Sequence, residues 1–411
     1  MTKKHRTLSR ILVLIMVLAL LAACAPQQTP PPTTPPGPPA GNGEAAPPQD
    51  GDVEEVLIGI LAPLTGGVAQ FGVAVYQGVQ LYIEEFNARG GLQIRYISFD
   101  EEGDLALAVT GYHSLVDQGV TAIIGSVTSG PTMAVVPLGY ADGMPMITAT
   151  ATHANVTVDG STGMVYTNMF RSCFIDPFQG VKMADFAFEV VGAQTAAVLF
   201  SHEIDYSIGL MEAFVARAEE IGLEIVATEQ FADAAIDLSS QLTNIAAQNP
   251  DVLFFPAYYR HVALMGPQSV AVGLDAVLLG ADGWAGSLGV LTDPSVIEGA
   301  FYLTGFTDES DDPFVLDFIA NYTARWGMAP DMFAAQAYDA AMILIAAIES
   351  ALADGLEPGT REFKDATIAH MAATDITGVT GHITFDQYNN PQKTAFIIQV
   401  RDGEARFWGT F

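Results

Sequence analysis

The sequence has few cysteines and few basic residues. Only Cys24 and Cys173 occur among 411 residues, and 16 Lys and Arg stand against 47 Asp and Glu, for a net charge of −31. So acidic a chain is a poor partner for nucleic acid. The acids are scattered along the sequence, which favours a solvated acidic surface over a cation site. If Cys24 is modified and cannot form a disulfide, Cys173 has no partner cysteine. The fold must then be stabilised by packing without an internal disulfide.

Long apolar runs are absent after residue 52, so no membrane span is predicted there. One apolar run of eleven residues, 11–21, follows Lys3, Lys4, Arg6 and Arg10. It is too short to span a bilayer and is typical of a secretory signal. It ends in Leu-Ala-Ala-Cys at 21–24, which resembles the bacterial lipobox. This resemblance implies a signal peptide over 1–23 and a lipidated Cys24, whereas an ordinary signal cleaved nearby is the alternative.

Residues 24–52 have the composition of a tether. They include ten Pro among Thr, Gly, Ala and Gln, without an apolar pattern that would form a core. Such a chain is stiff and extended, with a reach of about 80 Å at ~3.1 Å per residue. The sequence therefore predicts a folded part that works outside the cytoplasm, anchored to the membrane by lipid.

Catalytic motifs are also missing from the sequence. The seven His show no i, i+4 pair of the kind that binds metal on a helix, and neither a Gly-Lys dipeptide nor a Gly-x-Ser-x-Gly motif occurs. Arg171 could lower the pKa of Cys173, but a partly buried structural thiol is the preferred interpretation. His202 with Glu203 and Asp205 is interpreted as a solvated loop. We predict no enzyme activity, no cofactor and no metal.

A strand-then-helix rhythm begins at Val56 and predicts a parallel α/β fold. It pauses at 164–170 and then restarts, which indicates two doubly wound lobes in series. The predicted strands are 56–61, 94–99, 120–124, 146–148, 196–200, 225–228, 252–255 and 277–279. The predicted helices are 71–87, 105–118, 131–140, 177–191, 208–221, 238–248 and 261–272. Three helices (313–326, 334–353, 361–372) and strands at 381–385, 395–400 and 405–408 complete the chain.

Two hydroxyl-rich loops follow predicted strands of the first lobe. Ligands of open α/β sheets bind at the carboxyl ends of strands, where such loops meet helix N-termini. Ser129, near a helix start opened by Pro131, could cap the helix or bind an anion. A second loop, 148–153, carries Thr148, Thr150 and Thr152. Together the two loops indicate an anion-binding cleft.

An ordered set of segments resembles the type I periplasmic binding proteins of ABC importers, specifically the leucine/isoleucine/valine-binding branch. The segments are 60–66, 71–72, 87–91, 124–129, 145–152, 170–171, 338–340 and 381–386. The resemblance covers the chain from about Val56 to Phe411. It implies two Rossmann-like lobes joined by three crossings, with a ligand trapped between them on hinge closure.

The resemblance also implies roles for individual residues. By this resemblance, Ser129 and Thr152 would bind the α-carboxylate of the ligand. Thr150 would bind it through backbone groups, and Thr128 lies beside Ser129 in sequence. The ammonium falls on Asp282, which without the family would be interpreted as a turn residue before Gly283. An acid opposite hydroxyls and amides is the charge pattern that an amino-acid zwitterion needs.

Aromatic positions complete the expected site. Tyr206 and Tyr258 match positions that line the second-lobe face of the cleft. Phe71 replaces a Tyr that is frequent in the branch, and Trp284 is expected near the pocket for the ligand side chain. These differences leave the preferred side chain open.

We therefore predict an extracytoplasmic, lipid-anchored, monomeric binding protein that captures a branched-chain or other apolar amino acid. Its partners are expected to be the membrane subunits and ATPases of an ABC importer. Alternatives are a binder of urea, short amides or aromatic acids with the same fold, or a sensor that signals to a membrane receptor. The predicted first lobe comprises 53–173 and 306–378, and the second comprises 174–305 and 379–411.

Overall fold

The computed structural model describes residues 54–411, so the predicted signal peptide, Cys24 and the tether lie outside the described residues. The first sheet contains five parallel strands in the order β2-β1-β3-β4-β5. They are β1 (Glu55–Ala62), β2 (Gln93–Asp100), β3 (Ile123–Gly125), β4 (Met146–Thr148) and β5 (Met169–Arg171). Ile58 and Ile60 of β1 are fully buried. Strand β1 is an almost continuous apolar run, as expected for an inner strand of a parallel sheet that helices cover on both faces.

Three helices connect the strands of this sheet. They are α1 (Ala69–Asn87), α2 (Leu105–Asp117) and α3 (Ser129–Asp142). Asp104 begins α2 by accepting a hydrogen bond from the backbone N–H of Leu107 at 2.8 Å. Gly143, with a φ of 57°, ends α3 in the left-handed conformation. Because each helix returns the chain to the start of the next parallel strand, the carboxyl ends of the strands all lie at the same edge of the sheet.

The second sheet has seven strands in the order β14-β13-β10-β9-β8-β6-β7. They are β6 (Thr195–Ser201), β7 (Glu224–Phe231), β8 (Val252–Phe254), β9 (Val277–Gly280), β10 (Phe301–Thr304), β13 (Phe396–Arg401) and β14 (Glu404–Thr410). Its helices are α4 (Asp176–Phe186), α5 (Asp205–Ile221), α6 (Ser239–Ala246), α7 (Tyr259–Ala271) and the short α8 (Ser287–Val290). Strands β6 to β10 are parallel, and β13 and β14 add an antiparallel edge. We call the five-stranded part lobe 1 and the seven-stranded part lobe 2.

The α/β class and the two doubly wound lobes are confirmed. The strand predicted at 381–385 is β12 (Gly381–Thr384), which forms a separate hairpin with β11 (Asp375–Gly378). The sequence did not predict β5, β11 or β10, which lies between β9 and β13. The remaining helices are α9 (Pro313–Trp326), α10 (Met332–Ala353) and α11 (Arg361–Ala372). Both α9 and α10 contact α1, so they belong to lobe 1.

The third crossing between the lobes differs from the predicted boundary at 378/379. That boundary falls in the turn of the β11–β12 hairpin, whose strands stay paired. The following segment also remains on lobe 1, because Asn389 donates to the carbonyl of Met169 at 3.0 Å and Phe385 packs on Phe170 with ring centroids 5.0 Å apart. The chain therefore enters lobe 2 between Pro391 and β13. The other two crossings lie close to Ser172 and Gly305.

Helix α10 contacts all three crossings. The carbonyl of Gln336 accepts a hydrogen bond from Ser172 Oγ at 2.8 Å, and a Cβ at Gly305 would lie 2.6 Å from Gln336 Nε2. Asp339 Oδ2 lies 4.0 Å from Lys393 Nζ in the third crossing, and both side chains are almost fully buried. The helix is long and apolar enough for a membrane span by composition, but 83% of that window is buried within the protein. It therefore forms the core of lobe 1 and the support of the hinge.

Candidate functional site

The lobe 1 face of the cleft consists of the loops that follow β3 and β4. Thr128, Ser129, Thr150 and Thr152 are all buried there. Thr150 Oγ1 donates to the carbonyl of Val127 at 2.7 Å, which joins the two loops. Thr128 occupies the N-cap position of α3 without a side-chain cap bond, so Ser129 is the first helical residue and does not cap the helix. The start of α3 thus presents backbone N–H groups to the cleft.

Two hydroxyls on this face are suited to an incoming anion. Ser129 Oγ accepts only a long 3.3 Å bond from the backbone N–H of His153, and its own proton is free to donate elsewhere. Thr152 Oγ1 is buried and has no hydrogen-bond partner within residues 54–411. Burying a hydroxyl without a partner costs free energy. A ligand carboxylate would satisfy both groups.

The lobe 2 face contains Asp282 at the end of β9. This carboxylate is 2% exposed, and its Oδ1 accepts a hydrogen bond from Tyr206 Oη at 2.7 Å. Gln179 Oε1 accepts from the backbone N–H of Asp282 at 3.0 Å and fixes the turn. Burial raises the pKa of Asp282 to about 6, and the bond from Tyr206 opposes this shift. Asp282 is therefore a buried acid that ionises within the near-neutral range.

A second buried acid, Asp176, was missed by the sequence analysis. It begins α4 at the first crossing, and its backbone N–H donates to the carbonyl of Thr152 at 2.9 Å. Neither of its carboxylate oxygens has a hydrogen-bond partner in the part of the chain that the structure describes. Burial raises the pKa of Asp176 well above its ordinary value; the nearby Thr152 hydroxyl and Arg171 oppose this shift, and the charge of Asp282 adds to it. The environment of Asp176 therefore favours its neutral form.

Aromatic rings form the remaining wall. Tyr206 stacks on Tyr258 with centroids 4.9 Å apart and an angle of 19° between their planes. Phe71 of lobe 1 meets Tyr258 edge-on at 5.5 Å and packs against Phe333 at 4.2 Å. Phe71 is almost fully buried by these contacts. This wall is apolar and rigid, as expected for a surface that contacts an apolar side chain.

These groups surround one small cavity between the lobes, with an empty volume of about 230 Å³. Eight of the nine residues predicted from the sequence line it: Phe71, Thr128, Ser129, Thr150, Thr152, Tyr206, Tyr258 and Asp282. The lobes also touch directly, since Tyr259 Oη donates to the carbonyl of Gly67 at 3.1 Å. The arrangement is that of a closed cleft.

Trp284 does not line this cavity, contrary to the expectation from the sequence. Its indole Nε1 donates to the carbonyl of Phe255 at 2.8 Å, and its ring stacks on Tyr302 at 6.4 Å within the core of lobe 2. Asp282, Gly283 and Trp284 form a single 3₁₀ turn that directs Trp284 away from the cleft. Gly283 lines the cavity in its place.

Comparisons with known proteins agree with this architecture. The sequence model of the periplasmic binding protein family matches residues 55–405. The Leu/Ile/Val-binding protein BraC3 of Rhizobium johnstonii is 28% identical over 346 residues, which are 82% of this chain and 90% of that protein. The Leu/Ile/Val-binding protein homolog 3 of Brucella melitensis is 27% identical over 300 residues, which are 72% of this chain and 79% of that protein.

Solved structures show the same fold. The leucine-binding protein LivK of Thermotoga maritima superimposes with a TM-score of 0.79 at 28% identity, covering 87% of this chain and 98% of that one. The branched-chain amino acid transporter substrate-binding protein LivJ of Streptococcus pneumoniae, solved with isoleucine, gives 0.78 at 27% identity, covering 87% and 99%. The resemblance predicted from the sequence motifs is therefore confirmed.

Proposed function

The chain belongs to the periplasmic binding protein family, and on that premise we propose that it is the substrate-binding protein of an ABC importer that captures an apolar amino acid. The proposal depends on one observation: hydrogen-bond donors and a carboxylate face each other across the cavity. The hydroxyls of Ser129 and Thr152 and the helix N–H groups lie on lobe 1, and the buried carboxylate of Asp282 lies on lobe 2. A zwitterion presents the complementary carboxylate and ammonium.

The lining of the cavity supports a ligand with an apolar side chain. The rings of Phe71, Tyr258 and Phe333 would contact that side chain. Among the described residues, no Lys or Arg lines the cavity to pair with an acidic side chain. Branched-chain amino acids satisfy these conditions, and the names of the relatives support the same class.

Urea, a short amide or an aromatic acid is the alternative ligand. An uncharged or purely anionic ligand would leave Asp282 buried without a cationic partner, which is energetically costly. The amino acid is therefore the preferred ligand. A sensor that signals to a membrane receptor would use the same cleft and remains the alternative for the downstream partner.

We further propose that the protein acts outside the cytoplasm as a lipid-anchored monomer. The lipobox-like sequence at 21–24 and the Pro-rich tether support the anchor. Metabolic labelling of the full chain with a radioactive fatty acid tests it, with Cys24→Ala as the control. Label in the wild type and none in the variant are expected, and label in both would contradict lipidation at Cys24.

A thermal-shift screen tests the ligand class. The purified protein is heated with each of the twenty amino acids, urea, acetamide and benzoate. A ligand at about 100 times its Kd adds ~2.7 kcal/mol of stability, which raises the Tm measurably. We expect the largest shifts with leucine, isoleucine or valine. A shift with urea, acetamide or benzoate alone would contradict the proposed ligand class.

A further inference from the structure

The carboxylate of Glu101 lies behind the lobe 1 face, outside the cavity described above. Glu101 follows β2 and is fully buried. Its Oε1 accepts a hydrogen bond from Ser126 Oγ at 2.6 Å, and its Oε2 accepts from the backbone N–H of Gly103 at 2.6 Å. No Lys, Arg or His pairs with it among residues 54–411. It is therefore a buried acid without a counter-charge.

Hydrogen bonds connect this acid to both loops of the lobe 1 face. The carbonyl of Ser126 accepts from Thr148 Oγ1 at 2.6 Å, and Thr148 Oγ1 in turn accepts from the backbone N–H of Ala151 at 3.1 Å. Glu101, Ser126 and Thr148 thus form a continuous chain beneath the segment that carries Thr128, Ser129, Thr150 and Thr152. These bonds connect the acid to the two loops that carry the hydroxyls.

The acid is also close to the entrance of the cleft. Its neighbours Glu102 and Gly103 border an open space at this entrance, together with Thr128 and Gly130 at the start of α3. Glu101 is therefore near the helix start that is proposed to receive an anion.

We propose that Glu101 is a positioning residue for the ligand carboxylate, and that a negative charge on its side chain weakens ligand binding. This inference rests on the proposed amino-acid-binding function. The hydrogen-bond chain supplies the positioning, and the absence of a counter-charge makes the electrostatic effect unfavourable for an anion.

The ionisation of Glu101 falls in the range where this effect is measurable. Burial raises its pKa to about 7, the hydrogen bonds from Ser126 and Gly103 oppose the shift, and the neighbouring Asp100 and Asp104 add to it. Below that pH the acid is neutral, and above it a negative charge repels the ligand carboxylate. By linkage, a bound carboxylate raises the pKa of Glu101, so binding takes up protons near pH 7.

Isothermal titration calorimetry with L-leucine tests the inference between about pH 6.5 and 8. We expect the affinity of the wild type to fall about threefold to tenfold over this range. Titrations in buffers of different ionisation enthalpy should show proton uptake. Glu101→Gln should remove both the slope and the uptake, which a purely structural role would not do. Glu102→Gln, which removes an equal charge from an exposed neighbour, should retain both.

A second variant covers the case in which Glu101→Gln fails to fold. Ser126→Ala keeps the acid but removes a bond that stabilises its ionised form, so the fall in affinity should move to higher pH. An unchanged midpoint in Ser126→Ala, or a wild-type slope in Glu101→Gln, would overturn the inference. Leucine binding without any slope in the wild type would overturn this inference alone. A wild type that does not bind leucine at any pH would contradict the proposed function as well.

Discussion

The two faces of the cleft differ in how they present charge. Lobe 1 offers neutral donors, the hydroxyls of Ser129 and Thr152 and the N–H groups at the start of α3. Lobe 2 offers the carboxylate of Asp282, held by the Tyr206 hydroxyl. Each face complements only half of a zwitterion, so a ligand gains its full binding energy only when both lobes contact it. In the proposed function, closure of the lobes and recognition of the ligand are therefore the same event.

The largest effect should come from removing the charge of the lobe 2 face. Asp282→Asn leaves the ligand ammonium buried without a counter-charge, and we expect leucine affinity to fall at least about 100-fold. Calorimetry measures the loss. The control ligand is 4-methylpentanoate, which has no ammonium and should bind the variant no more weakly than the wild type. An equal loss for both ligands would show that the substitution damages the site in general.

A smaller effect should follow on the lobe 1 face. Ser129→Ala removes one donor to the ligand carboxylate, and a hydrogen bond to a charged group is worth ~1.5–3 kcal/mol. Because Thr152 and the helix N–H groups still donate, we expect the lower end of this range, about a tenfold loss of leucine affinity. The matched ligand is 3-methylbutylamine, which lacks the carboxylate. Its affinity should be unchanged, and a tenfold loss for the amine would reverse the assignment of the two faces.

Acid should weaken binding through lobe 2 alone. Because the pKa of Asp282 is about 6 in the free protein, this group becomes protonated below that pH and no longer attracts the ammonium. We expect leucine affinity to fall about tenfold between pH 6 and pH 4.5 in a titration series. Tyr206→Phe removes a bond that lowers the pKa of Asp282, so the fall should begin at higher pH. A fall that persists in Asp282→Asn would assign the titration to another group.

The smallest effect on binding should come from Trp284, which lies outside the cavity. Trp284→Phe should change leucine affinity less than about twofold. The same variant should lower the free energy of unfolding by ~1–3 kcal/mol, because the loss of the indole N–H leaves the buried carbonyl of Phe255 without its donor. Calorimetry and urea unfolding measure the two quantities. A large change in ligand selectivity would indicate that Trp284 contacts the ligand, contrary to the structure.

Local patterns in the sequence were sufficient to predict most of the architecture. They did not predict short strands that are stabilised by partners distant in sequence. The α/β rhythm is visible because buried parallel strands are continuous apolar runs. Strand β10 has residues that favour a strand but only four of them, and it pairs with β9 and with β13 almost a hundred residues later. Strand β11 begins with Asp and ends with Gly, which are both depleted in strands.

The candidate site shows the same division. Ser129, Thr152 and Asp282 could be predicted because each follows a strand within a motif of the family. Asp176 precedes Pro177 at the start of α4, where an acid is common for reasons of helix stability alone. Its burial and its unpartnered oxygens arise only from the tertiary structure. The direction of Trp284 is likewise fixed by the tight turn at Asp282 and by the space beneath Phe255.

The attachment of all three crossings to α10 restricts how this protein can move. Ser172 and Lys393 contact this helix, and Gly305 lies so close to it that a Cβ there would be 2.6 Å from Gln336 Nε2. We expect the three crossings to bend together as one hinge, because sliding one lobe past the other would break these contacts. A partner that contacts the outer ends of both lobes would then detect the angle between them.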